Sequence, residues 1–127
     1  SDTIGIVIPT ENFSAGKTQF ANARKLIDAG CAIALSTDYN PGSAPCPSQP
    51  MAMAISSRYQ KLLPSEAFNA ATVNAACAIG LGDRVGSIEV GKQADMAIIN
   101  ATDYLLLCYE FGGDLVRHTI SKGSVVT

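Results

Sequence analysis

Ile4-Gly5-Ile6-Val7-Ile8 and Cys31-Ala32-Ile33-Ala34-Leu35-Ser36-Thr37-Asp38 are the two stretches that decide the fold. Each begins as a short, unbroken apolar run, the pattern of a strand buried on both faces. Pro9 closes the first run and Asp38 ends the second. Between them, Thr18 to Ala29 sets Phe20, Ala23 and Ile27 at helical spacing. Leu26 widens that stripe, and Gly30 stands where a left-handed C-cap belongs. Strand, helix, strand within about 35 residues predicts a βαβ unit with parallel strands and a right-handed crossover.

Outward from that unit, Asp38 to Pro50 carries Pro41, Pro45 and Pro47 besides Asn40 and Gly42, a loop of turns. A helix is expected from about Ser48 to Leu62, with Met51, Ile55, Tyr59 and Leu62 on one face. Another is expected from Pro64 to Ile79, with Phe68, Ala71, Ala75 and Ile79. Pro64 suits a first helical turn, whereas Leu63 is a poor N-cap. After Gly80-Leu81-Gly82-Asp83 the texture changes to short apolar runs punctuated by glycine. These predict a small β-layer, a helical turn within Asp103 to Tyr109 and a final hairpin from Val116 to Val126. The fold class is α/β in two parts, 1–82 and 83–127.

The chain has 127 residues, 47% of them hydrophobic, with a formal net charge of −2. That is enough apolar material for one packed core, and the absence of a basic run gives no footprint for nucleic acid. Cys31, Cys46, Cys77 and Cys108 form no CxxC pair, and His118 is the one histidine, so no zinc cluster is readable. Three of the four cysteines sit in apolar runs, which predicts reduced, buried thiols and a cytoplasmic protein. The opening apolar run is too short, and lacks the basic lead, for a signal peptide. No apolar stretch approaches the roughly 20 residues of a membrane helix.

Asp38 is the first candidate for chemistry. A carboxylate at the end of a buried strand, opening a Pro/Gly-rich loop, stands where α/β enzymes place catalytic groups and can bind a metal or take a proton. It could equally cap the loop by bonding backbone amides. Gly16-Lys17-Thr18 imitates the end of a phosphate-cradling loop, but Glu11 occupies the place of the required glycine and would repel phosphate. The alternative is a plain connection in which Thr18 caps the helix. His118, in a strand-like run without a second histidine, reads as a structural or exposed residue and not a ligand; Met51, Met53 and Tyr59 read as core.

Ser36-Thr37-Asp38-Tyr39-Asn40-Pro41-Gly42-Ser43 resembles the eighth-strand motif of imidazolonepropionases, T-D-x-N-P-G followed by Ser or Thr. Asn74-Ala75-Ala76 with Ala78-Ile79-Gly80-Leu81 resembles the helix that precedes the closing β-sandwich of that family. Gly86 to Asp95 resembles the G-[ST]-[IL]-E-x-G-K-x-A-D signature of amidohydrolases generally, and Tyr109-Glu110-Phe111-Gly112 a late Tyr-x-x-Gly element. The resemblance implies the C-terminal portion of a (β/α)8 TIM barrel: its last two βα units over 1–82 and part of a composite β-sandwich over 83–127. It implies one Zn or Fe ion and hydrolysis of the ring C–N bond of imidazolone propionate in histidine degradation. Asp38 maps onto a metal ligand that also handles the proton of the attacking water. Asn40, Gly42 and Ser43 map onto the substrate-binding loop.

The histidine ligands of that family have no counterpart in this chain. The expectation is therefore a hydrolase whose metal site needs sequence from outside these residues, with no metal retained by this chain alone. The competing readings are a non-catalytic association domain derived from an amidohydrolase and a nucleotide-binding βα module. Exposed barrel edges predict a homodimer.

Overall fold

The computed structural model describes residues 3–127, so the first two positions of the 1–82 part lie outside the described residues. Strand β1 (Ile4–Val7) and strand β2 (Ala32–Leu35) pair in parallel, from Ile4 opposite Ala32 to Val7 opposite Leu35. Both expected strands are therefore present, with the expected relative direction. β1 is not buried on both faces, however. Val7 is buried while Ile6 is 57% exposed, because alternate side chains point to opposite faces and the Ile6 face is uncovered.

The connection differs from expectation. Pro9 does not merely stop the strand: it opens a short helix, α1 (Pro9–Ser14), where its missing N–H costs nothing. The helix expected from Thr18 starts only at Ala23, as α2 (Ala23–Asp28), and Thr18 is not its cap. Asn22 is, accepting the N–H of Lys25 through Oδ1 at 3.0 Å. Side chains claim the carbonyls before it, with Asn12 donating to Gln19 (2.6 Å) and Gln60 to Ala21 (3.2 Å), which removes them from a helical ladder. Phe20 stacks on Tyr59 instead, ring centroids 4.7 Å apart. Gly30 takes the expected left-handed conformation, φ +81°.

Helix α3 (Gln49–Tyr59) follows the proline-rich loop, with Ser48 as N-cap through Oγ to the N–H of Met51 at 3.2 Å. Met53 and Ile55 are buried as expected, whereas Tyr59 is exposed. The single helix expected from Pro64 to Ile79 is two, α4 (Pro64–Ala71) and α5 (Val73–Ala78). Thr72 breaks it at φ −122°, ψ −92°, its hydroxyl donating to the carbonyl of Phe68 at 2.8 Å. Leu63 is the poor cap expected, and the Glu66 carboxylate takes its N–H at 2.7 Å. Glu66 also receives both guanidinium arms of Arg24, at 2.7 and 3.0 Å, joining α2 to α4.

The β-layer is a three-stranded antiparallel sheet of β3 (Met96–Ile99), β4 (Val116–Ser121) and β5 (Ser124–Val125), in that order. The expected helical turn is α6 (Leu106–Tyr109). It packs on α3, where Arg58 donates to the carbonyl of Cys108 at 2.8 Å and lies 5.0 Å from the Phe111 ring centroid. One hydrophobic core runs through Val7, Ile33, Leu35, Met53, Leu62, Leu107 and Leu115, so residues from either side of position 82 share it. Of the cysteines only Cys108 is buried, where desolvation pushes its thiol pKa up. Cys31 and Cys77 are exposed and Cys46 half-buried, correcting the expectation of three buried thiols. Cys31 stands on the turn before β2 and Cys77 near the end of α5, outside the covered layer. All four are free, and no helix is long and apolar enough to cross a membrane among the described residues.

Candidate active site on the Asp38 loop

Parallel pairing puts the ends of β1 and β2 side by side, and the Ser36 N–H donates to the Val7 carbonyl at 3.1 Å just beyond the last paired residues. Asp38 follows at the carboxyl end of the sheet, beside the end of β1, as the βαβ pattern requires. It is exposed, and its carboxylate has no hydrogen-bond or ion-pair partner among the described residues. Its backbone sits in the left-handed region, φ +49°, which few non-glycine residues occupy without local support.

That support is Asn40. Its amide donates to the Asp38 carbonyl at 2.7 Å, and its Oδ1 accepts the N–H groups of Gly42 (3.0 Å) and Ser43 (2.8 Å). Backbone pairing of Asn40 with Ala44 closes the turn, and Ala44 is buried beneath it. Asn40, Gly42 and Ser43 are thus brought together, with Asn40 as the hub of an Asx-type turn. The Asn40 side chain and the Gly42 and Ser43 amides are engaged with one another, while the Asp38 carboxylate is open.

A second set of side chains fixes the strand that carries the loop. The carbonyls of Ile33 and Leu35 accept from Asn74 Nδ2 and Gln49 Nε2, each at 2.9 Å. Strand alternation places them on the edge of β2 away from β1. Thr10, 2% exposed on α1, donates its hydroxyl to the Thr37 carbonyl at 2.5 Å. Sequence reading missed Thr10, Gln49 and Asn74 as supports. Asn74, polar within the apolar run Ala70 to Ile79, left a signal; Thr10 left none, its partner being 27 residues away.

Lys17 does not face a phosphate cradle: its ammonium lies 3.9 Å from the Glu11 carboxylate, and α1 occupies the segment between strand and loop. The nucleotide-site reading has no geometric support. His118 lies on β4 opposite Ile98, with Nδ1 3.1 Å from the Thr127 carbonyl oxygen. Among the described residues no three His, Cys, Asp or Glu side chains converge to hold a metal. One carboxylate does not make a three- or four-ligand site, so the residues present do not fit a metal by themselves.

The Gly86 to Asp95 segment lies apart from Asp38 in the chain and works structurally. Lys92 reaches Ser87 Oγ at 2.6 Å and Glu89 at 3.1 Å, while Ser87 also donates to Glu89. Ser87 first, then Lys92, hold the Glu89 carboxyl below its ordinary pKa. Asp95 accepts the Lys122 N–H at 2.8 Å and Gln93 Nε2 at 2.5 Å, pinning the β4–β5 turn to β3; those bonds lower its pKa in that order.

The description of the amidohydrolase family matches residues 2–126. The chain belongs to the amidohydrolase family. Imidazolonepropionase of Herpetosiphon aurantiacus is 51% identical over 126 residues, 99% of this chain and 30% of that protein. Imidazolonepropionase of Porphyromonas gingivalis is 44% identical over the same shares. The chain therefore spans about 30% of the length of these relatives. Among solved structures, an adenosine deaminase from Xanthomonas campestris with bound zinc superposes with a TM-score of 0.83 at 25% identity, over 96% of this chain and 31% of that one. Guanine deaminase of E. coli does so at 0.78 and 22%, over 96% and 33%. This amidohydrolase-family chain has the α/β fold of those enzymes over nearly its whole length.

Proposed function

We propose that this chain is the C-terminal part of an imidazolonepropionase-like hydrolase acting on a C–N bond of a cyclic amide, imidazolone propionate being the substrate. Residues 1–82 would form the last two βα units of a (β/α)8 barrel, and 83–127 the C-terminal part of a composite β-sandwich, with α6 reaching back onto α3. The observation that carries the reading is the open Asp38 carboxylate at the carboxyl end of two parallel strands, in a chain 51% identical to an imidazolonepropionase. There the Asp38 carboxylate would accept a proton from an attacking water and return it to the leaving nitrogen. Asn40, Gly42 and Ser43 would shape the wall against which the substrate lies.

A single Zn or Fe ion belongs to this reading, with Asp38 as one ligand and the others supplied from outside this chain. The free, partly exposed thiols suit a reducing cytoplasmic compartment. A homodimer through exposed barrel edges completes the proposal, supported by the edge of β1 away from β2, which pairs with no strand among the described residues. The uncovered Ile6 and Ile88 favour the second reading, a non-catalytic association domain derived from an amidohydrolase.

One experiment separates them. The matched segment of the Herpetosiphon protein is replaced by this chain, and loss of imidazolone propionate is followed. The fusion should turn over substrate, and Asp38→Asn should lower kcat by about 10³-fold. Asn tolerates the left-handed backbone, so the variant changes charge without adding strain. A folded, metal-loaded fusion without activity, or an Asp38→Asn variant within tenfold of its parent, would overturn the hydrolase reading.

A further inference from the structure

The peptide unit between Thr37 and Asp38 is held at both ends by hydroxyls. Its carbonyl accepts from Thr10 Oγ1 at 2.5 Å, and its N–H, which is the Asp38 N–H, donates to Ser36 Oγ at 3.0 Å. The next peptide unit is held by Asn40 Nδ2 on the Asp38 carbonyl. Asp38 thus sits between two fixed planes, and those planes set its φ of +49° and the direction of its side chain. Asn40 belongs to the loop and would move with it, while Ser36 is tied to β1 through its own N–H on the Val7 carbonyl. Thr10 belongs to α1, beyond the end of β1, and is buried, so it ties the Thr37 carbonyl to an element outside the loop.

We infer that Thr10 is a positioning residue for Asp38. Without its hydroxyl the Thr37–Asp38 peptide keeps only the Ser36 tie at its N–H, and relaxation of Asp38 out of the left-handed region would swing the carboxylate away from its present direction. A valine at position 10 keeps the volume and removes the donor; a serine keeps the donor. The assignment deepens the hydrolase reading and its catalytic consequence rests on it, but the geometric part can be measured independently.

Amide hydrogen exchange is followed by NMR on the 127-residue chain, for Thr10→Val, Thr10→Ser and Thr10→Ala. Thr10→Val and Thr10→Ala should speed exchange of the Asp38 N–H at least tenfold while the amides of β2 stay within twofold, and Thr10→Ser should leave Asp38 protected. Equal acceleration at Asp38 and throughout β2, an unchanged Asp38 amide in Thr10→Val, or loss of protection in Thr10→Ser would each overturn the inference. In the Herpetosiphon fusion, Thr10→Val should lower kcat about tenfold with KM within twofold, and Thr10→Ser should restore kcat. A raised KM at unchanged kcat would contradict positioning of the reacting group. An inactive parent fusion would sink the hydrolase reading, while the exchange rates still decide what Thr10 holds.

Discussion

At Gly86 a side chain has no room. A Cβ there would lie 2.6 Å from the Ala76 Cβ and 3.1 Å from the Val73 Cα, and the backbone is at φ +98°. Gly86→Ala therefore combines overpacking with left-handed strain and should cost about 3 kcal/mol. Gly16 supplies the control: its φ is +63° but nothing lies within 4 Å of its would-be Cβ, so Gly16→Ala should cost only about 1 kcal/mol. Urea midpoints at unchanged slope measure both, and equal losses would show that contact with α5 is not what Gly86 protects. Gly86, Lys92 and Asp95 hold turns together, and the open carboxylate belongs to Asp38.

Between elements, the Arg24 and Glu66 pair joins α2 to α4 across 42 residues of sequence. The Arg24 guanidinium, ahead of the Leu63 N–H, holds the Glu66 carboxyl below its ordinary 4.5. A carboxyl depressed in the folded state stabilises the fold above its unfolded value, and that contribution disappears as pH falls through the folded value. Between about pH 5 and 3 the parent chain should therefore lose stability more steeply than Glu66→Gln. Parallel stability curves from urea titrations would show that the pair contributes nothing measurable, as partly exposed pairs sometimes do. A second inter-element device is the clasp of β2 by Asn74 and Gln49. The break at Thr72 separates α5 from α4, and Asn74, two residues beyond it, reaches the strand edge.

For the whole molecule, apolar surface is left uncovered on β1, with Ile6 at 57% exposure, and in the segment between α5 and β3, with Ile88 at 87%. Two parallel strands are a small sheet to stand by itself. The chain should self-associate, burying more than roughly 1,000 Å² if the contact replaces missing core. Sedimentation equilibrium over a wide concentration range checks this, and a monodisperse monomer at high concentration would refute it. The isolated chain should also retain no stoichiometric zinc through dialysis and should not turn over imidazolone propionate, because Asp38 stands without companion ligands among the described residues. Tight zinc together with turnover would contradict that expectation.

Legible in the sequence alone were the parallel βαβ start, the left-handed stop at Gly30, a helix beginning near Ser48, a small β-layer with a final hairpin, and the place of Asp38 at a strand end. Those follow from local periodicity, turn chemistry and the one-way order of the chain, which neighbouring residues carry. The tertiary structure decided the rest. It shortened the helix before Asp28 because Asn12 and Gln60 take backbone carbonyls that a helix would use. It split the helix at Thr72, uncovered Ile6, Cys31 and Cys77, and folded α6 into the core beside α3. It also enclosed the Thr37–Asp38 peptide between Thr10 and Ser36. Each of these outcomes depends on groups brought together in space, often from tens of residues apart, and no local pattern encodes such a meeting.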